Sequence, residues 1–223
     1  MSSGSVLARD PAASVLRNLR AYAVVEDERA RERVRARQAE LGARVSTAEK
    51  YALYGAAPPL AVSPQVGELL YLLTRARRPL NAVEFGTSHG ISTIYLAAAL
   101  RDAGVGSLIS SELLAEKAEA ARTNLVAAEL DDLVEILAGD ALETLRDVRR
   151  PVELVFLDGR NDLYMEVLRL LEPALARDAL VLADLSPDDP DLVPYLSYVR
   201  AEGSGYASLT VPLGAGLEVS LRS

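Results

Sequence analysis

Four acidic side chains stand at the ends of four successive short apolar runs in this 223-residue chain. Glu84 sits in Glu84-Phe85-Gly86-Thr87-Ser88-His89-Gly90-Ile91-Ser92, Glu112 closes Ser110-Ser111-Glu112, Asp140 follows Ala138-Gly139, and Asp158 follows Phe156-Leu157. Gly86 and Gly90 let the backbone turn tightly and approach a ligand closely. The helix expected after them would present free N–H groups and a positive dipole end. The loop departs from the G-x-G-x-x-G dinucleotide fingerprint, because its third position is Ser88 and its sixth Ile91. Glu84 would repel a pyrophosphate but could hold a cation. Glu112 could grip a diol through two hydrogen bonds, and Asp140 could accept from an exocyclic amine. Asp140 and Asp158 could equally do no more than cap the helices that follow them.

These residues are useful together only if the intervening chain aligns them. Apolar runs at Asn81–Phe85, Ser107–Ser111, Val134–Ala138, Glu153–Leu157 and Ala179–Ala183 alternate with helical patterns at Ser92–Ala103, Leu114–Glu129, Ala141–Val148 and Tyr164–Ala176. Continuous apolar strands separated by helices imply a parallel sheet covered on both faces. Tyr206–Val211 and Leu217–Leu221 have no helix between them and should pair antiparallel at the edge. The expected fold class is therefore α/β: a doubly wound, mostly parallel seven-stranded sheet ending in an antiparallel β-hairpin, preceded by N-terminal helices. In such sheets ligands bind at the carboxyl ends of the strands, where the acids stand.

Residues 1–59 read as a separate helical arm, an oligomer contact or substrate cap, and 60–223 as the ligand-binding domain. Asp10 before Pro11 predicts a helix start, with the carboxylate capping backbone N–H groups; Gly42 predicts its stop. Arg29, Arg31, Arg33, Arg35 and Arg37 lie among Glu26, Asp27, Glu28 and Glu32. They read as a solvated face or as a partner-binding or gating arm. Pro58, Pro59 and Pro64 then break the chain ahead of a helix at Gln65–Arg75.

Composition removes several classes of function. Lys and Arg number 24 against 32 Asp and Glu, a net charge of −8, which argues against a phosphate-backbone binder and against nucleic acid as a partner. With no cysteine, disulfide scaffolds, thiolate zinc sites and cysteine nucleophiles are out. One histidine, His89, leaves no multi-histidine metal site and disfavours a Ser-His-Asp hydrolase. No apolar run is long enough for a membrane span, and the N-terminus lacks a secretory pattern, so the expectation is a soluble, cytoplasmic protein.

A ligand that suits four acids at four strand ends carries a diol and cationic groups. S-adenosylmethionine, with its sulfonium, ammonium, ribose and adenine, is such a ligand. The stretch from about Leu60 to Arg222 also resembles the catechol and caffeoyl-CoA O-methyltransferase family, which uses S-adenosylmethionine. The likeness is carried by Leu60-Ala61-Val62-Ser63-Pro64-Gln65, by the Glu84–Ser92 loop, by Glu112, by Phe156-Leu157-Asp158 and by Gly214-Ala215-Gly216-Leu217-Glu218-Val219-Ser220. It implies the Rossmann-like methyltransferase fold, a small-molecule acceptor and a homodimer. It further implies cofactor contacts from Val62, Glu84, Gly86, Ser88, His89, Gly90, Ser92, Glu112, Asp140 and Asp158.

The candidate catalytic residues are Asp158, Asn161 and Asp184, at positions that the resemblance marks, and Arg160 beside them. Family members hold Mg²⁺ with one Asp after the fourth strand and an Asp-Asn pair after the fifth, and use a nearby lysine or histidine as base. Here Asp158 and Asp184 match the two Asp positions, whereas Leu185 stands for the Asn and Asn161 for the lysine. Mg²⁺ wants six oxygens, so no complete metal site is expected, though water could substitute. Without metal, Arg160 could stabilise a phenolate. His89 reads as loop packing, cofactor contact or base; Tyr51, Tyr54 and Tyr164 read as acceptor pocket or packing. The loop Ser186-Pro187-Asp188-Asp189-Pro190-Asp191 reads as a lid or a solvated connection. O-methylation of a phenolic or other hydroxyl leads the functional readings. N-methylation of a small amine and non-catalytic S-adenosylmethionine binding stand as alternatives.

Overall fold

The computed structural model describes residues 4–148, 151–186 and 189–223. Its strands are β1 (Asn81–Phe85), β2 (Ser107–Glu112), β3 (Val134–Ala138), β4 (Val152–Leu157), β5 (Leu175–Asp184), β6 (Tyr206–Val211) and β7 (Leu217–Arg222). They form one sheet in the order β3-β2-β1-β4-β5-β7-β6. β1 to β5 run parallel, and β7 lies antiparallel between β5 and the edge strand β6. This is the expected architecture, and the five apolar runs are the five parallel strands. β4 and β5 carry the reason: Leu154 to Leu157 and Val181 to Ala183 are fully buried, as strands covered on both faces must be.

The helices are α1 (Ala12–Leu41), α2 (Thr47–Tyr54), α3 (Pro64–Arg77), α4 (Ile91–Ala103), α5 (Ala115–Ala127), α6 (Ala141–Thr144), α7 (Tyr164–Leu171) and α8 (Val193–Arg200). One face of the sheet is covered by α3, α4, α5 and the N-terminal half of α1, the other by α7 and α8. In α4 the run from Tyr95 to Leu100 is buried on every side, so it reads as apolar all round rather than amphipathic. Two short helices, α2 and α8, escape sequence reading because proline and glycine punctuate the chain around them. α6 stops at Thr144 rather than Val148. α7 stops at Leu171, because Pro173 falls in the next turn, where its ring would clash with a continuing helix, and β5 begins at Leu175.

The N-terminal helix is not capped as expected. Pro11 occupies the cap position, and the Asp10 carboxylate accepts from Ser14 Oγ and Arg17 instead of from backbone N–H groups. Gly42 ends it in the left-handed region at φ 63°, as expected. α1 is also less detached than the sequence suggests, for Leu16, Leu19 and Ala23 belong to the same core as α4. Asp27, only 4% exposed, accepts from the Leu60 and Ala61 amides at 2.7 and 2.9 Å. Arg20 donates to the Val62 carbonyl at 3.1 Å and to Tyr95 Oη at 3.0 Å. Those bonds fix the strap of residues 59–63 that follows the arm. Three of the five arginines pair with Glu26 or Glu28 on the exposed face, while Arg33 donates to the Leu53 and Tyr54 carbonyls and Arg37 to Glu49 of α2.

Asp27 is thus the buried acceptor on which the strap hangs. Replacing it with alanine leaves two amide donors unpaired, at a cost of about 2–3 kcal/mol. Calorimetry of Asp27→Ala should show a melting temperature lower by roughly 4–12 °C; an unchanged value would mean the strap is held elsewhere.

Candidate active site

A cavity of about 800 Å³ opens at the carboxyl ends of β1 to β5. It lies where the strand order reverses between β1 and β4, the switch point at which open α/β sheets leave a crevice. Its floor is made by the strand ends, and its roof by α2, the strap and Gly214-Ala215.

The Gly86 loop shapes the floor. Gly86 has φ 101°, and a Cβ there would lie 2.5 Å from the Asp158 carbonyl oxygen, so only glycine lets the two strand ends meet. Ser88, itself at φ 49°, donates its amide to Glu112 Oε2 at 2.8 Å and its hydroxyl to the Pro59 carbonyl at 2.5 Å. Glu112 also accepts from the Leu114 amide at 2.9 Å, which fixes its carboxylate at the cavity wall. Asp140 caps α6 through Leu142 at 2.9 Å, as one of its two readings has it, and also lines the cavity. Val62, Ser92, Asp158, Arg160, Asn161 and Asp184 line the cavity as well.

Three expected contacts lie elsewhere. Glu84 is fully buried beneath the loop, accepting from Thr93 and Ser110 at 2.6 Å each, with burial pushing its pKa up. His89 and Gly90 also lie outside the lining. The His89 ring packs against Tyr22, 6.0 Å between centroids, and burial together with Lys117 pushes its pKa down to about 4. It is neutral at physiological pH and lies outside the cavity lining, so of its readings the structure gives loop packing.

Asp158 and Asp184 form the acidic end of the cavity. Burial raises both: Asp184 to about 7, and Asp158 well above the carboxylate range, where Asp184 and Glu84 add to burial and Lys117 opposes it. Two carboxylates that close share their protons rather than ionise independently. They do not make a Mg²⁺ site. Leu185 brings hydrocarbon where the resemblance puts a third oxygen ligand, which leaves the donor set short for an ion that takes six oxygens.

The two neighbours of Asp158 are engaged otherwise than expected. Arg160 pairs with Asp162 through two hydrogen bonds, 3.1 and 2.5 Å, which offsets the charge a phenolate would use. Asn161 is 3% exposed and gives its amide to Asp189 at 2.8 Å. Asp189 receives Lys50 of α2 at 3.3 Å, and Asp191 receives Thr47. The loop after β5 is therefore tied to the roof; Pro187 and Asp188 of the expected lid lie outside the described residues. Tyr51 donates to the Gly159 carbonyl at 2.7 Å and meets Tyr54 edge-on at 5.5 Å. Tyr164 donates to the Asp184 carbonyl at 2.9 Å. All three tyrosines line the cavity, so pocket and packing roles coincide.

Sequence reading missed Lys117. It sits in Ala115-Glu116-Lys117, which looks like any solvated helix turn, yet it is 5% exposed and lines the cavity. Only the packing of α5 against the loop reveals it.

This architecture has known counterparts. A family model described as "Methyltransferase domain" matches residues 83–184. "Catechol O-methyltransferase" of Mycobacterium tuberculosis is 36% identical over 57% of this chain and 57% of its own length, so the chain spans little more than half of that curated relative. A Mycobacterium sp. (strain JLS) protein named "Putative O-methyltransferase" is 32% identical over 73% of this chain and 79% of its own. Among solved structures, the O-methyltransferase TomG from Streptomyces achromogenes, in complex with S-adenosylmethionine, is similar at TM-score 0.66 and 28% identity, over 74% of this chain and 83% of that one. The fold and the matched domain define the class as methyltransferase. The chain belongs to the O-methyltransferase family.

Because Asp158 and Asp184 have folded-state pKa values above the ordinary 3.9, their protonated forms favour the folded state. That contribution is full below about pH 4 and is lost as pH rises through about 7. Melting curves of the ligand-free protein between pH 5 and 8 should therefore slope downward, and Asp184→Asn should flatten the slope. An unaltered slope in the variant would exclude the pair as its source.

Proposed function

We propose that this chain is an S-adenosylmethionine-dependent O-methyltransferase that acts on a small molecule through a phenolic or other hydroxyl group. The observation that carries the reading is the convergence of Glu112, Asp140 and Asp158 on one cavity at the sheet's reversal, beside the Gly86 loop. Glu112 would hold the ribose diol, Asp140 the adenine amine and Asp158 the ammonium. The relatives named above, and the bound S-adenosylmethionine of TomG, support the same assignment.

S-adenosylmethionine supplies an already activated methyl group, so the protein's share of the work is alignment and exclusion of water. The strap and α2 close over the strand ends, and Tyr51, Tyr54 and Tyr164 give an acceptor ring apolar surface to pack on. Asp184 is the cavity group whose proton affinity lies near neutrality, and its carboxylate would take the acceptor's hydroxyl proton. The donor set around Asp158 does not fit Mg²⁺, and no step is routed through a metal. We read the chain further as a cytoplasmic homodimer. The exposed Tyr22 and Val25, neighbours on one side of α1, supply an apolar patch, and no described helix is long and apolar enough to cross a membrane; sedimentation tests the dimer.

Calorimetric titration should give micromolar S-adenosylmethionine binding that is equal with Mg²⁺ and with chelator. Gly86→Ala should lose more than tenfold in affinity while keeping its circular dichroism spectrum, because the added methyl drives the loop off the Asp158 carbonyl. Release of S-adenosylhomocysteine with catechol-type acceptors completes the test. Release only with amines would move the transfer to nitrogen, and no binding at all would remove the proposal.

A further inference from the structure

We propose that Lys117 is the counter-ion of the carboxylate on the methionine end of S-adenosylmethionine, and that it fixes where that end lies in the cavity. The assignment rests on the cofactor reading above and adds a positioning residue to it. Lys117 lies on the first turn of α5, is 5% exposed and lines the cavity. Its Nζ donates to Ser88 Oγ at 3.2 Å, and that hydroxyl in turn donates to the Pro59 carbonyl at 2.5 Å. Among the described residues it forms no ion pair. A buried ammonium that donates to one neutral hydroxyl has donors to spare, and the acids that act on it, Glu112, Asp27 and Asp158, do so without a direct ion pair.

The rest of the cavity gives this cation its role. Its wall is acidic, through Glu112, Asp140, Asp158 and Asp184, and those groups suit the ribose, amine and cationic parts of the ligand. The ligand's own carboxylate is the one part that such a wall repels. Arg160, the cation on the β4 side, is already bound to Asp162. Three backbone donors of the cavity wall are taken: the Leu60 and Ala61 amides by Asp27, and the Ser88 amide by Glu112. Pro59 has none to offer. A carboxylate at this corner meets a side-chain cation in Lys117, which Ser88 holds in place. Burial pulls the Lys117 pKa down while Glu112, Asp27 and Asp158 pull it up, and an arriving carboxylate would further favour the charged form.

Decarboxylated S-adenosylmethionine isolates the interaction, because it lacks only the group in question. Calorimetry of the wild-type protein should show S-adenosylmethionine binding at least tenfold tighter than the decarboxylated compound, as expected for a charge-assisted contact. Lys117→Met should lose that preference by weakening S-adenosylmethionine alone, and Lys117→Arg should restore part of it. Equal weakening of both ligands in Lys117→Met would make Lys117 a structural residue and overturn the assignment. So would a wild-type protein that does not distinguish the two ligands, a result that needs no variant to fold. A wild-type protein that binds neither ligand would overturn the cofactor reading itself, which separates the two failures.

Discussion

At the floor of the cavity the Asp158 amide donates to the Phe85 carbonyl at 2.8 Å, just where β1 and β4 leave the sheet in the same direction. This contact continues the parallel ladder one step past its last paired residues and brings the Gly86 backbone against the Asp158 carbonyl. Phe85 then covers the other side, since a Cβ on Gly159 would lie 2.4 Å from its ring. Two glycines and one aromatic ring thus fix the distance between the loop after β1 and the acids after β4. The position of Ser88, and through it of Glu112 and Lys117, follows from that junction.

The acidic pair and the roof are linked by the residues that have replaced the family's expected ligands. Asn161 stands where a lysine base is expected, and its amide is spent on Asp189. Burial pushes Asp189 upward, but the hydrogen bonds from Asn161, the Asp191 amide and Lys50 prevail and hold its pKa below the usual value. The carboxylate therefore stays ionised and keeps α2 attached to the loop after β5. The side chain at this position attaches the loop after β4 to the loop after β5.

Most of the fold was legible because parallel strands buried on both faces leave uninterrupted apolar runs, and all five parallel strands and the terminal hairpin were found this way. The short helices α2 and α8 were not, since each is held by distant polar partners, as α2 is by Asp189 and Asp191. At the site, Glu112, Asp140, Asp158 and Gly86 were readable from their place at strand ends. Glu84 was misread because adjacent residues on a strand face opposite sides, and this carboxylate turns to Thr93 and Ser110 instead of the cavity. Lys117 and Asp27 were invisible for a different reason. Each is a charged residue on a helix rich in charge, and only tertiary packing distinguishes a buried one from its solvated neighbours.

The span matched by the methyltransferase family model, residues 83–184, contains every strand end of the floor and none of the roof. α2, the strap at 59–63 and Gly214-Ala215 are encoded on either side of it. The cavity is thus encoded in two parts, one inside the span that the model matches and one outside it. Substitutions in the roof reshape the upper half of the cavity while leaving the Gly86–Asp158 junction intact, so the two halves of one crevice can vary independently.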